Sequence, residues 1–384
     1  MTSRFAVLVL TILVAGCRSS FPVETSVGEG CEYARNFHIL YSPADSCRIG
    51  GVVSVSPYDG SADTLIVDSP LERLVCMSTS GVAALSAIGA DSSLIAVSGL
   101  RYVTDPDISA RAESASDRIY DIGYESSLDY ETILKLDPDV IIAYTVGESQ
   151  PPYLTKLRSL GLRVLVVYDH MEQHPLARAE YVKLYGALTG HYDEALTFFA
   201  GVKERYDSLC VKEIRSPKKV LLNIPYADVW YVPGKDNYMS RLISDAGGMV
   251  VGAVPGTESG SITIEEAYKL SLEADVWLCP GHCITRKQLS SVHHLFPLFG
   301  PMKNDKPIYN NTRRSNAAGG NDFYESGSVR PDLILQDLRY IFSAVDKDGK
   351  LNTAIDGAVK RGVPEDVASS IWAEMEDFAK YAFN

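Results

Sequence analysis

"DYETILKLDPDVIIAY" (residues 129–144) and "TIEEAYKLSLEADVWL" (residues 263–278) follow one plan. Each opens on a residue suited to cap a helix, Asp129 or Thr263. Thr263 and Glu266 also have the spacing of a capping box. Glu131 and Glu265, 134 residues apart, then fall in the first helical turn, where the helix dipole favours a carboxylate. An apolar stripe, a Lys-Leu pair, a short break and an apolar run complete each stretch. The pattern predicts a helix feeding a buried strand, and its recurrence predicts two similar α/β units in one chain.

The flanking sequence extends both units. "RLVCM" (73–77), "LIAVSG" (94–99), "DVIIAY" (139–144) and "RVLVVYD" (163–169) read as strands, separated by helices at 81–89, 130–136 and 153–161. The alternation restarts with strands at 220–225, 249–254, 275–280 and 307–310 and helices at 238–248, 263–271, 289–299 and 330–345. Unbroken apolar strands alternating with helices predict parallel sheets covered on both faces. Between the units lie "LARAEYVKLYGALTG" (176–190) and "YDEALTFFAGVKERYDSLCVKEI" (192–214). The second has apolar residues at three-or-four spacing, and as one helix would be about 35 Å long. The expected fold is therefore α/β: two Rossmann-like lobes with parallel sheets, joined by one long rigid helix, with a ligand cleft between them. The expected division is a signal peptide (1–16), a tether (17–30), a first lobe with preceding short strands (31–175), a helical region (176–215), a second lobe (216–343) and an extension ending in an amphipathic helix (344–384).

Composition narrows the function. The chain has 384 residues, 46% hydrophobic and 22% charged, as in a globular protein with a sizeable core. Its formal net charge is −13 and no basic cluster occurs, which argues against a nucleic-acid partner. Arg4, the ten-residue run "FAVLVLTILV" and "AGC" make a leader too short to span a bilayer as a helix. Its "VAGC" ending resembles a bacterial lipobox, which implies cleavage before Cys17 and a lipid anchor on that cysteine. Six further cysteines in an exported chain permit disulfides, and proximity suggests Cys31–Cys47 and Cys279–Cys283.

Loops after the carboxyl ends of parallel strands bind ligands in open α/β sheets. Those of this chain offer Arg101, Tyr102, Tyr144, His170, Trp230, Tyr231, His282, Arg313 and Arg314 as candidates. Aromatic rings with polar tips suit a wide planar or chelate ligand, and the arginines suit its carboxylates. No motif for a nucleophile elbow, a zincin or a phosphate loop occurs, so no catalytic residue and no resident metal is expected. "CPGHC" (279–283) leaves one enzymatic alternative open, a metal-dependent hydrolase around Cys279, His282, Cys283 and His293.

"PLERLVCMSTSGVAALSAIGA", "YDIGYESSLDYETILKLDPDVIIAY", "VLLNIPYADVWYVPGKDNYMSRLISDAGG" and "NAAGGNDFYESGSVRPDLILQDL" together resemble class III (cluster A) substrate-binding proteins of ABC importers for vitamin B12, ferric siderophores and haem. The likeness covers roughly residues 65–340 and is nearest to the lipoprotein branch of Bacteroidota. It implies a monomer, lipid-anchored on the periplasmic side of a membrane, with no permanent cofactor. The resemblance further implies delivery of an iron–siderophore, a cobalamin or haem to a permease dimer. It places the family's two permease-docking carboxylates on Glu131 and Glu265. A chelate-capture lipoprotein of the outer membrane that docks no permease is the alternative within the same fold.

Overall fold

A computed structural model describes residues 26–27, 31–42, 45–147, 150–212, 214–226, 229–281, 283 and 285–344. The leader, Cys17, His282 and the extension after 344 lie outside the described residues.

The first lobe is built on a five-stranded parallel sheet. Its strands are β5 (Leu74–Cys76), β6 (Leu94–Val97), β7 (Tyr120–Asp121), β8 (Val140–Ala143) and β9 (Val164–Val166), in the order β7-β6-β5-β8-β9. Helices α1 (Thr79–Ala87), α2 (Pro106–Ala110), α3 (Tyr130–Leu136) and α4 (Pro152–Ser159) link them. β5 and β8 are buried at every residue, which is why they read as unbroken apolar runs. Alternate residues serve opposite faces: Leu74, Cys76, Val140 and Ile142 join one apolar cluster, and Val75, Ile141 and Ala143 another.

Ahead of this sheet stand β1 (Ser26–Val27), β2 (Phe37–Ser42), β3 (Asp45–Val55) and β4 (Ala62–Ile66), an antiparallel sheet in chain order. Two buried carboxylates pin its entry. Glu180 accepts the backbone N–H groups of Glu32, Tyr33 and Ala34, and Glu172 those of Arg35 and Asn36. Lys183, 2.6 Å away, balances the charge of Glu180.

The second lobe has a four-stranded parallel sheet, ordered β12-β10-β14-β15, from β10 (Lys218–Leu222), β12 (Gly248–Val250), β14 (Val276–Leu278) and β15 (Ile308–Tyr309). Helices α8 (Tyr238–Asp245), α9 (Ile264–Ser271), α10 (Arg286–Val292) and α11 (Gly300–Lys303) flank it. An antiparallel ribbon of β11 (Trp230–Val232) and β13 (Gly260–Ile262) was not expected from sequence. Both repeated helix–strand steps are present: α3 leads to β8 and α9 to β14. Asp129 accepts the N–H of Thr132, and Thr263 that of Glu266, as caps should. The complete reciprocal capping box forms instead at Thr285 and Gln288.

Between the lobes lie α5 (Pro175–Ala179), α6 (Val182–Thr189) and α7 (Tyr192–Leu209), and the chain returns through α12 (Ser326–Val329) and α13 (Pro331–Ala344). The expected long helix is shorter than its sequence suggested. It stops at Leu209, about 27 Å from its start. Cys210 turns to an extended conformation, and the N–H of Val211 goes to the carbonyl of Asp245 at the end of α8. Stiffness comes from packing as well. Ala195, Phe199, Val202 and Tyr206 of α7 lie in one cluster with Leu74 and Val140 of the first sheet and Val220 and Val276 of the second. A single apolar core thus runs through the bridge.

Neither expected disulfide is supported. Cys279 and Cys283 are free because their side chains enter different cores, one shared by the two lobes and the other confined to the second. Cys31 is also a free thiol and points at the carbonyl of Phe37, while the side chain of Cys47 lies outside the described residues.

Candidate functional site

A cavity of about 350 Å³ opens at the carboxyl ends of the first parallel sheet. Met77 and Ser78 follow β5, Ser98 follows β6, Tyr144 follows β8, and Asp169 and His170 come after β9. Tyr324, from the return segment of the second lobe, and Arg178 of α5 complete its walls. Its size is that of a small-molecule site, and its place is the switch point between β5 and β8 where doubly wound sheets bind ligands.

Three of the candidate residues meet here: Tyr102, Tyr144 and His170. Gly99, at φ +70°, turns the chain sharply after β6, and a Cβ there would lie 2.6 Å from the ring of Tyr124. That turn sets Tyr102 and Tyr124 side by side, centroids 5.8 Å apart. Arg101 spans them. Its Nε donates to the Tyr124 hydroxyl at 3.2 Å and its Nη2 to the Tyr102 hydroxyl at 2.9 Å. Hydrogen bonding to Tyr124, then to Arg101, lowers the Tyr102 phenol below its ordinary value. Burial, with Glu125 nearby, pushes the Tyr144 phenol up to about 12. The His170 ring stands edge-on to Tyr144 at 6.1 Å, and burial lowers its pKa.

The opposite lobe grips the segment carrying Tyr102. Asn316 Nδ2 donates to the carbonyls of Arg101 and Val103, and Glu325 accepts the N–H groups of Thr104 and Asp105, both at 2.8 Å. Gly320 comes so close that a Cβ would lie 2.0 Å from the Tyr102 carbonyl. A roomier hollow, about 660 Å³, lies on the far side of this segment among Arg101, Arg118 and Asn316. It misses the ends of β5 and β8, so we do not take it as the site.

The other candidates lie elsewhere. Trp230 is fully buried, against expectation: it starts β11, packs on Trp277 and Phe299, and donates its indole N–H to the carbonyl of Leu222. Tyr231, its neighbour in the strand, faces outward and is 46% exposed, but does not line the cavity. Arg313 is exposed, and Arg314 pairs with Asp322 at 2.9 Å beside a separate hollow. Tyr124, Arg178 and Tyr324 line the cavity without having been picked from sequence. Tyr124 alone had a usable signal, a tyrosine three residues after the end of β7 at Asp121.

Of the residues named for the hydrolase alternative, Cys279, Cys283 and His293 are described, and Cys279 and Cys283 enter different apolar clusters. Cys279 is buried and its thiol is pushed up to about 12, the reverse of a metal-binding thiolate. Among the described residues no group of three His, Cys, Asp or Glu is placed to hold a metal ion. Glu131 and Glu265 stand in the first turns of α3 and α9, exposed on the two lobes, and Glu131 pairs with Lys135 at 2.7 Å.

Two parallel-sheet lobes, a packed helical bridge and a cavity at strand ends define a bilobed solute-binding protein of the class III type. The chain belongs to the periplasmic binding protein family, whose model matches residues 74–294, a family of binding proteins and not of catalysts. An uncharacterized lipoprotein of Methanocaldococcus jannaschii is 26% identical over 289 residues, 72% of this chain and 66% of the relative, so the match spans just under two thirds of that relative's length. Among solved structures, a periplasmic haem-binding protein of Roseiflexus matches 72% of this chain and 99% of its own at 20% identity and a TM-score of 0.54. A periplasmic vitamin B12-binding protein of Vibrio cholerae matches 73% and 99% at 18% identity and a TM-score of 0.53. At these identities the likeness is one of fold.

Proposed function

We propose that this protein is the substrate-binding lipoprotein of an ABC importer, and that it captures a bulky metal chelate in the cavity between its lobes. The observation that carries the reading is the wall of four tyrosines, Tyr102, Tyr124, Tyr144 and Tyr324, contributed by both lobes around one opening. Such rings offer flat apolar area with a polar edge, which suits a ferric siderophore, a corrinoid or haem. Solved structures of the same fold include proteins described as binding haem and vitamin B12, which supports that range. Glu131 and Glu265 serve as one anionic anchor per lobe for arginines of a two-fold permease, since carboxylate–guanidinium pairs fix orientation. Cys17 carries the lipid that keeps the protein at the membrane. No bond is made or broken in the bound ligand.

Absorbance titration with haemin, cyanocobalamin and a ferric siderophore tests the reading. It predicts saturable, stoichiometric binding of one class. If all three leave the protein unchanged, the chelate assignment is wrong even though the fold stands.

A further inference from the structure

The cavity wall contains one arginine, and that arginine is paired unlike others of this chain. Arg178 has a side chain only 10% exposed, and its single acidic partner among the described residues, Asp169, lies 3.4 Å from Nη2. Its Nε, also buried, has no hydrogen-bond partner. Two other arginines of the chain are paired more closely. Arg330 meets Asp332 through Nε and Nη2, both at 2.9 Å, and Arg241 Nε meets Asp245 at 2.8 Å, although both arginines are more exposed. A guanidinium has five donors and does not lose its charge, so burying it with one long ion pair and a tyrosine leaves donors unspent. Tyr238, its ring 4.5 Å from the guanidinium carbon, helps hold the charge and its hydroxyl also engages the guanidinium, yet the buried Nε–H is still left without a partner.

His170, in the same wall, repeats the pattern. Its Nε2 is buried and without a partner. Burial lowers its pKa, while Asp169 and a backbone bond at Thr145 pull the other way, so the empty cavity disfavours the charged ring and an arriving anion favours it. Asp169 is the one carboxylate in the cavity lining, and its 3.4 Å bond to Nη2 leaves Nε of the arginine unserved. Two buried nitrogens with open capacity, one on a fixed cation, lie beside one small-molecule cavity. Buried polar atoms left this way call for a partner.

Resting on the proposed capture of a metal chelate, we infer that Arg178 and His170 form an anion subsite that takes a carboxylate on the periphery of that chelate. The protein then selects a carboxylate-bearing ligand over a neutral analogue of the same shape. Arg178 makes a charge-assisted pair with the ligand carboxylate, whose negative charge in turn favours uptake of a solvent proton by His170, so that Nε2–H donates to it as well. A local cation is needed for this in a chain of net charge −13, whose long-range field disfavours an anion.

Matched probes test the inference: haemin against its dimethyl ester, and cyanocobalamin against its monocarboxylic acid. The full chain is used, as wild type and as Arg178→Gln combined with Asp169→Asn, which removes cation and carboxylate together and leaves no unpaired charge. Arg178→Lys is a second variant that keeps the charge without the fork. For whichever scaffold binds, the wild type should hold the carboxylate form at least about tenfold tighter, the weight of one charge-assisted pair. The double variant should lose that preference, its two affinities falling within about threefold of each other, and the lysine variant should keep part of it. Equal affinity for both members of a pair in the wild type, or a preference that survives in the double variant, overturns the subsite. If neither member of either pair binds but a ferric siderophore does, a carboxylate siderophore must outcompete a neutral hydroxamate one, and the reverse order overturns it. If no chelate binds at all, the reading beneath it falls as well.

Discussion

Tyr102 shows how single residues define this site. Its ring faces the cavity, its hydroxyl is held by Arg101, and its backbone is gripped from the other lobe through Asn316 and Gly320. Tyr102→Ala should weaken ligand binding by about tenfold, in line with the loss of an aromatic contact of roughly 1–1.5 kcal/mol, and leave thermal stability nearly unchanged. Titration beside a melting curve checks both parts. Glu325 belongs to the same grip and is 1% exposed. Burial, opposed by the N–H groups of Thr104 and Asp105, raises its carboxyl from 4.5 to about 7. A carboxyl raised in the fold stabilises it when protonated: the contribution is full below about 4.5 and is lost as pH rises through about 7. Glu325→Gln should flatten that part of the stability–pH curve, removing a slope of at most about 3 kcal/mol in urea unfolding measured from pH 4.5 to 7.5. An unchanged slope would show that another group titrates there. Tyr102, Tyr144 and His170 were legible in the sequence because each follows a strand of unmistakable apolar pattern. Arg178 and Tyr324 were not, since one arrives on a helix and the other from the opposite lobe, and no local pattern reports either approach.

At the scale of elements, the repeated helix–strand step was readable because two constraints coincide in it. A cap fixes the start of the helix, and complete burial of β8 and β14 fixes the strand. Where only one constraint operated, the reading ran long. "LSSVHHLFPLF" has helical composition, but α10 ends at Val292. His293 becomes extended and its Nδ1 accepts the N–H of Leu295, which lets Phe296 enter the aromatic cluster against Trp230 and Trp277. Tertiary packing outweighs helix propensity there. Trp230 was misjudged for a related reason. The β11–β13 pairing joins segments some 30 residues apart, and only that register turns Trp230 inward and Tyr231 outward. Trp230→Ala should destabilise the fold by about 3–5 kcal/mol, seen as a lower urea midpoint, without altering ligand affinity in the folded fraction. An affinity loss with normal stability would return Trp230 to the binding site.

The whole molecule is two sheets joined by one core. An apolar cluster continuous from Leu74 through Phe199 to Val276 leaves little room for a free hinge, because packed interiors resist shear. The shorter α7 therefore does not imply looser lobes. The duplicated glutamates are also a property at this scale, each meaningful only beside the other. Glu131→Ala with Glu265→Ala should abolish uptake in cells while ligand titration of the purified protein stays unchanged. Uptake that persists would favour an outer-membrane role that docks no permease. The most direct test of the account is a pair of crystal structures, free and with the chelate that titration identifies. The account predicts ligand density against Tyr102, Tyr124 and Tyr144 with Tyr324 closing from the opposite lobe, and a lobe rotation below about 25°. Density in the hollow beside Arg314 and Glu325, or a rotation larger than that, would contradict it.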